Sequence, residues 1–74
     1  MRNRLNEIVA SIFGIDPQEV KDDLTLGDIE LWDSLNHLRL VTAVEEDLGI
    51  RFSMAEIESI DSIGTLWRLV AKRV

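Results

Sequence analysis

The chain contains no cysteine and no tyrosine, one histidine and one proline. Without Cys there are no disulfides, no thiolate catalysis by the chain itself and no Cys-based zinc site. With His37 as the sole imidazole, a His-rich metal centre is excluded as well. No apolar stretch approaches the roughly 20 residues that cross a bilayer, so no membrane partner is expected. Basic residues are also scarce: 8 Lys and Arg stand against 14 Asp and Glu, a net charge of minus 6. A nucleic-acid binder of this size carries a basic footprint, and here the balance runs the other way. No repeat, low-complexity tract or Pro/Gly/Ser linker divides the 74 residues, which are expected to form one domain over 1–74. A domain this small buries only about 60% of the surface its unfolded chain exposes, so no deep catalytic cleft is expected.

What is present is the composition of a folded globular domain, 46% hydrophobic and 30% charged. The basic start Met1-Arg2-Asn3-Arg4 precedes an apolar patch, but Asn6 and Glu7 interrupt it and no small-residue cleavage site follows Gly14. A cytoplasmic location is therefore expected. Charge is unevenly placed. From Asp16 to Asp61 there are 13 acids and 3 bases, a net of minus 10, while the flanks hold 5 bases and Glu7, a net of plus 4. The middle of the molecule should offer an acidic surface to a basic partner.

Leu5, Ile8, Val9, Ile12 and Phe13 follow the spacing of one helix face, predicting a first helix over about 3–13 that ends at Gly14. Asp16-Pro17-Gln18-Glu19 has the cap, proline and acid of a single turn. From Lys21 to Asp33 the acids alternate with Leu24, Leu26, Ile29 and Leu31, which predicts a long loop pinned by buried aliphatics. Loops of that length are often functional, and this one ends at Ser34.

A second helix is predicted from Ser34 to about Leu48, stopped by Gly49. His37, Leu40, Val41, Val44 and Leu48 gather on one face, and Leu35, Leu38, Arg39, Thr42 and Glu46 on the other. Two leucines are thus left facing outward near the start of this helix. Ser53-Met54-Ala55-Glu56 is a capping box flanked by Phe52 and Ile57, so a short third helix should run from Met54 to near Ile60. Asp61 or Ser62 can cap a fourth, with Ile63, Leu66, Trp67, Val70 and Val74 on its inner face. No segment alternates with period two, so the fold class is all-α: a small four-helix bundle of three longer helices and one short one.

Ser34 is the residue with the clearest chemical possibility. The first turn of a helix has unpaired N–H groups and the positive end of the macrodipole, so a phosphate on Ser34 is favoured there. Equally, Asp33 or Ser34 can serve simply as an N-cap, since any helix start favours those residue types.

The run from Leu31 to Ile50, LWDSLNHLRLVTAVEEDLGI, resembles the prosthetic-group segment of acyl carrier proteins, whose Asp-Ser-Leu motif opens the second helix and whose acidic triplet closes it. The likeness extends over nearly the whole chain. It takes in the opening amphipathic helix, the long acidic loop, the Ile-x-Phe at residues 50–52, and Ile60-Asp61-Ser62-Ile63 leading into the last helix. The resemblance implies that Ser34 Oγ receives 4′-phosphopantetheine from coenzyme A through a separate magnesium-dependent phosphopantetheinyl transferase. The chain is then a substrate and carrier with no catalytic residues or metal of its own. The arm's thiol holds an acyl or aminoacyl group as a thioester, so the reactive sulfur is imported. It further implies that Asp33, Leu35, Leu38, Arg39, Thr42, Glu45 and Glu46 face the loading and acyl-transferring enzymes, with the two leucines as apolar contacts inside a charged rim.

Some positions depart from the family pattern. Leu31 and Trp32 stand where many carriers have a glycine two residues before the Asp, and Asn36 and Arg39 occupy positions that carriers of fatty-acid synthesis usually give to acids. These features are similar to stand-alone carriers of specialised pathways, such as polyketide, amino-acid-loading or polysaccharide-modifying ones, with fatty-acid synthesis second. A stand-alone monomer is the corresponding expectation, from Met1 just before the first helix and an end at Val74.

Other constellations lead to blander readings. Ser34 and His37 could be a nucleophile and its base, but a triad needs an orienting acid and an oxyanion hole, which a helix surface without a pocket does not offer. His37 is expected at the edge of the core face, bonded to the long loop. Trp67 is expected in the core and Trp32 packing the loop end, rather than the two forming a stacking site. The acids of residues 16–30 lack the order of an EF-hand loop. The competing functional class is an unmodified acidic helical interaction module in which Ser34 only caps.

Overall fold

The computed structural model describes residues 1–25, 27–30 and 32–73. Leu26, Leu31 and Val74, expected as apolar anchors, lie outside the described residues. Four helices form in the expected order: α1 (Arg2–Phe13), α2 (Ser34–Leu48), α3 (Met54–Ser59) and α4 (Ile63–Ala71), with a 3-10 turn at Pro17–Glu19.

The core takes one face from each longer helix. Leu5, Val9 and Phe13 of α1, Leu40, Val41 and Val44 of α2, and Ile63, Leu66 and Val70 of α4 are buried, joined by Val20, Phe52 and Ile60 from the connections. Leu69, which the apolar spacing did not single out, is buried too. Trp67 corrects the expectation of a core tryptophan. It is half-buried at the rim, packed against the core beneath the guanidinium of Arg2, 5.4 Å from the ring centroid. One part of the indole packs on the core and the Arg2 cation covers the ring face left at the rim.

Helix ends are closed largely by the residues the sequence offers. Gly14 and Gly49 end α1 and α2 in the left-handed conformation, each with φ 67. Asp16 caps the 3-10 turn and Ser53 caps α3, both with complete capping boxes. Ser62, and not Asp61, caps α4.

The long loop is held by more than its aliphatics. Ile29 is buried and Leu24 half-buried, but backbone bonds do equal work at the start of α4. The Ile63 N–H donates to the Leu24 carbonyl and the Gly64 N–H to the Asp22 carbonyl, each at 3.0 Å. Thr65 N–H donates to Ser62 Oγ and Leu66 N–H to the Ser62 carbonyl, both at 3.2 Å. Three N–H groups that the helix cannot pair for itself, those of Ile63, Gly64 and Thr65, are thus satisfied, two of them by the loop, and the Leu66 bond is the first of the helical ladder. An antiparallel bridge, Thr25 with Ser62, marks the same seam.

Candidate functional site

Ser34 is exposed, at the first residue of α2, where the loop delivers it. The cap of this helix is Asp33, in extended backbone (φ −98, ψ −176), whose Oδ1 accepts from the Asn36 N–H at 2.8 Å. The Ser34 hydroxyl makes no hydrogen bond among the described residues. The reading in which Ser34 only caps α2 is therefore corrected: the carboxylate one residue earlier does that work. A carboxylate is the better acceptor at the positive end of the dipole, and it leaves the serine side chain without a structural task.

Two surfaces meet at Ser34. On one side Leu35 and Leu38 stand 59% and 54% exposed. Leu35, Leu38, Arg39, Thr42, Ala43 and Glu46, with Ile12 of α1, line a groove of about 420 Å³. Arg39 has no ion-pair partner among the described residues.

On the other side is a cleft of about 670 Å³ between α2 and α3, lined by Trp32, Asp33, Ser34, His37, Leu38, Met54, Ile57, Glu58 and Ile60. The expectation of a helix surface without a pocket fails here. Six-residue α3 covers only part of the α2 face, and the uncovered part is this cleft. Met54, Ile57, Glu58 and Ile60 carried no signal in the sequence beyond the capping box that phases their helix.

Glu45 and Glu46, expected together at the docking face, part company. Glu46 is exposed in the groove, whereas half-buried Glu45 accepts from the Phe52 N–H at 2.8 Å and ties α2 to the segment before α3. Asp47, third of the acidic triplet, is engaged by Arg4 at 2.5 and 2.6 Å. Hydrogen bonding from that guanidinium holds the Asp47 carboxyl below the usual carboxylate range.

His37 lies where the sequence put it, at the edge of the core, and bonds the loop through Trp32. Trp32 is buried and its ring packs on Phe13, centroids 5.1 Å apart. Both imidazole nitrogens are engaged, Nδ1 by the Trp32 indole and Nε2 by the Ile57 carbonyl, each at 2.9 Å. Neither nitrogen is available to take a proton from Ser34, so no nucleophile–base pair forms. Among the described residues there is also no cluster of acids or His that could hold a metal ion. No helix among them is long and apolar enough to cross a membrane.

A hydroxyl exposed at a helix N-terminus, beside an apolar cleft and an apolar groove, fits a phosphodiester-linked arm: the α2 dipole favours the phosphate and the hydroxyl is free to be esterified. Residues 3–70 match the family described as the phosphopantetheine attachment site. The chain is 31% identical over 74 residues to a polyketide-8 synthase acyl carrier protein 2 of Streptomyces avermitilis, covering 99% of this chain and 84% of that one. Among solved structures it resembles the holo acyl carrier protein of Geobacter metallireducens, with a TM-score of 0.86 and 30% identity over 96% of this chain and 82% of the other. It also shares its fold with a candidate acyl carrier protein from Mycobacterium tuberculosis, at TM-score 0.89 and 23% identity over 99% and 97% of the two chains.

Proposed function

The chain belongs to the phosphopantetheine-attachment family, the acyl carrier proteins, and on that premise we propose that Ser34 is the residue that carries the 4′-phosphopantetheine arm. The single observation that carries this assignment is the exposed Ser34 hydroxyl, relieved of capping by Asp33. In this reading, within a transferase's active site, Ser34 Oγ loses its proton and attacks the pantetheine-side phosphorus of the coenzyme A pyrophosphate; the P–O bond to the nucleotide breaks, 3′,5′-ADP leaves, and the arm stays on Ser34 as a phosphodiester. When bound, the arm supplies a terminal thiol that holds the carried group as a thioester.

The chain's own part is presentation and docking. Asp33 fixes the first turn so that Ser34 projects outward, and Leu35, Leu38, Arg39, Thr42 and Glu46 form the surface met by the transferase and by acyl- or aminoacyl-handling enzymes. The chain performs no chemistry itself. Tethering raises the effective concentration of the intermediate at each partner, and docking must be weak enough to allow departure. Arg39 in place of an acid, together with the likeness to a polyketide carrier, supports service in a specialised pathway over fatty-acid synthesis.

Intact-protein mass spectrometry tests the assignment, with coenzyme A, magnesium and a broad-specificity phosphopantetheinyl transferase, and Ser34→Ala alongside. One phosphopantetheinyl group is expected on the wild type and none on the variant. A chain shown folded by circular dichroism that gains nothing with several transferases would instead be an unmodified interaction module.

A further inference from the structure

His37 is the sole imidazole of the chain, and the carrier function as stated gives it no part. Its bonds define its chemical form. An indole N–H can only donate, so Nδ1, 2.9 Å from Trp32 Nε1, must be a bare acceptor. A carbonyl can only accept, so Nε2, 2.9 Å from the Ile57 oxygen, must carry the hydrogen. One form alone satisfies both contacts: the neutral ring with its proton on Nε2.

These two bonds join three elements around Ser34. Trp32 lies two residues before Ser34, buried against Phe13, and its backbone N–H is bonded to the Ile29 carbonyl at 3.0 Å. His37 lies three residues after Ser34, one turn into α2. Ile57 offers a carbonyl from α3, which also accepts from the Ile60 N–H at 3.3 Å. Trp32, His37 and Ile57 are all walls of the cleft that opens beside Ser34. The loop end before the serine, the helix after it and the helix across the cleft therefore share one fastening.

We infer that His37, held as the Nε2–H tautomer between the Trp32 indole and the Ile57 carbonyl, is a positioning residue that fixes the cleft wall and the presentation of Ser34 for arm transfer. The inference rests on Ser34 being the attachment residue. His37→Ala removes both bonds and leaves the indole N–H without its acceptor. Trp32→Phe keeps an aromatic ring on Phe13 and the His37 ring itself, and removes the donor together with part of the buried indole's bulk. Neither alteration touches Leu35, Leu38 or Arg39, so recognition by the transferase should persist while alignment of Oγ is lost.

Two measurements on the full chain test this. In ¹⁵N NMR at pH 8, the wild-type His37 ring should show the Nε2–H pattern, with a slowly exchanging Trp32 indole proton, and in Trp32→Phe the Nδ1 resonance should move as it loses its donor while Nε2, still facing the Ile57 carbonyl, keeps its hydrogen. In steady-state phosphopantetheinyl transfer followed by intact mass, both variants should lose about tenfold in kcat with KM little changed, as expected when a reacting atom is misaligned and not unbound. An Nδ1–H ring in the wild type overturns the inference, as does wild-type kcat in either variant. Should His37→Ala fail to fold, Trp32→Phe, shown folded by circular dichroism, decides, because it leaves the His37 ring in place and removes its indole donor. Wild type that accepts no arm overturns the carrier assignment at Ser34, and this role with it. Wild type that is loaded beside variants loaded equally fast overturns the positioning role alone.

Discussion

Ser34 and Asp33 show how adjacent residues divide a task at a helix start. Because the Asp33 carboxylate accepts the Asn36 N–H, Asp33→Ala should cost about 1 kcal/mol of stability, whereas Ser34→Ala should leave urea unfolding within about 0.3 kcal/mol of wild type. On the proposed assignment, the serine variant should therefore lose attachment without losing the fold. Glu45 and Glu46 form a second such pair. Glu45→Ala removes the acceptor of a half-buried Phe52 N–H and should destabilise by about 1–2 kcal/mol, while Glu46→Lys, exposed in the groove, should leave the melting curve unchanged and alter only docking. Reversing both acids together should therefore disturb the fold through Glu45 as well as docking through Glu46. Sequence spacing placed the two side by side. Only the course of the chain after Gly49 decides that Phe52 turns its N–H toward one of them.

At the scale of elements, the signals at helix boundaries were legible because capping is local chemistry. The box at Ser53 and Glu56, the acid before Pro17 and the glycines after α1 and α2 each fall within one turn of the residues they serve. The seam between the long loop and α4 was not legible, because its bonds join residues about 40 positions apart. Gly64 is its hidden requirement. A Cβ there would meet the Asp22 carbonyl oxygen at 3.1 Å and the Asp22 Cβ at 3.5 Å. Gly64→Ala should therefore push the loop away and destabilise by about 1 kcal/mol. In hydrogen exchange, the amides of Ile63 and Gly64 should lose protection while those of α1 keep theirs.

For the whole molecule, the arrangement of charge differs from its distribution along the chain. The basic flanks fold back onto the acidic middle: Arg2 pairs with Asp22 at 2.6 Å, Arg4 with Asp47 and Arg73 with Glu56, both at 2.5 Å. Hydrogen bonds from Arg4 and Arg73 lower the carboxyl pKa values of Asp47 and Glu56. A carboxyl whose pKa is lower folded than unfolded contributes stability that is complete above its unfolded value, about 4, and is lost as pH falls through the folded value. Stability measured by urea should thus decline from about pH 5 downward, and Arg73→Met should flatten that decline by restoring Glu56 toward its ordinary value. An Arg73→Met chain with an unchanged pH profile would contradict this. The pairs are exposed, so salt should weaken them. With Asp22, Asp47 and Glu56 paired internally, the acids that remain for a basic partner are fewer than the composition suggests.

Sequence alone determined the fold class, the order and bounds of the four helices, and Ser34 as the candidate attachment residue, because helical periodicity, caps and the Asp-Ser-Leu run are short-range patterns. It also placed His37 at the edge of the core with a bond to the loop. Tertiary structure decided which hydroxyl or carboxylate caps α2, that Trp67 lies at the rim, that Glu45 serves the fold and Glu46 the surface, and that a cleft opens beside Ser34. The cap is a choice between neighbouring side chains that only the folded geometry makes, and the others depend on atoms brought together from distant parts of the chain. Periodicity states which side of a helix turns inward, and only packing decides which partner it finds there.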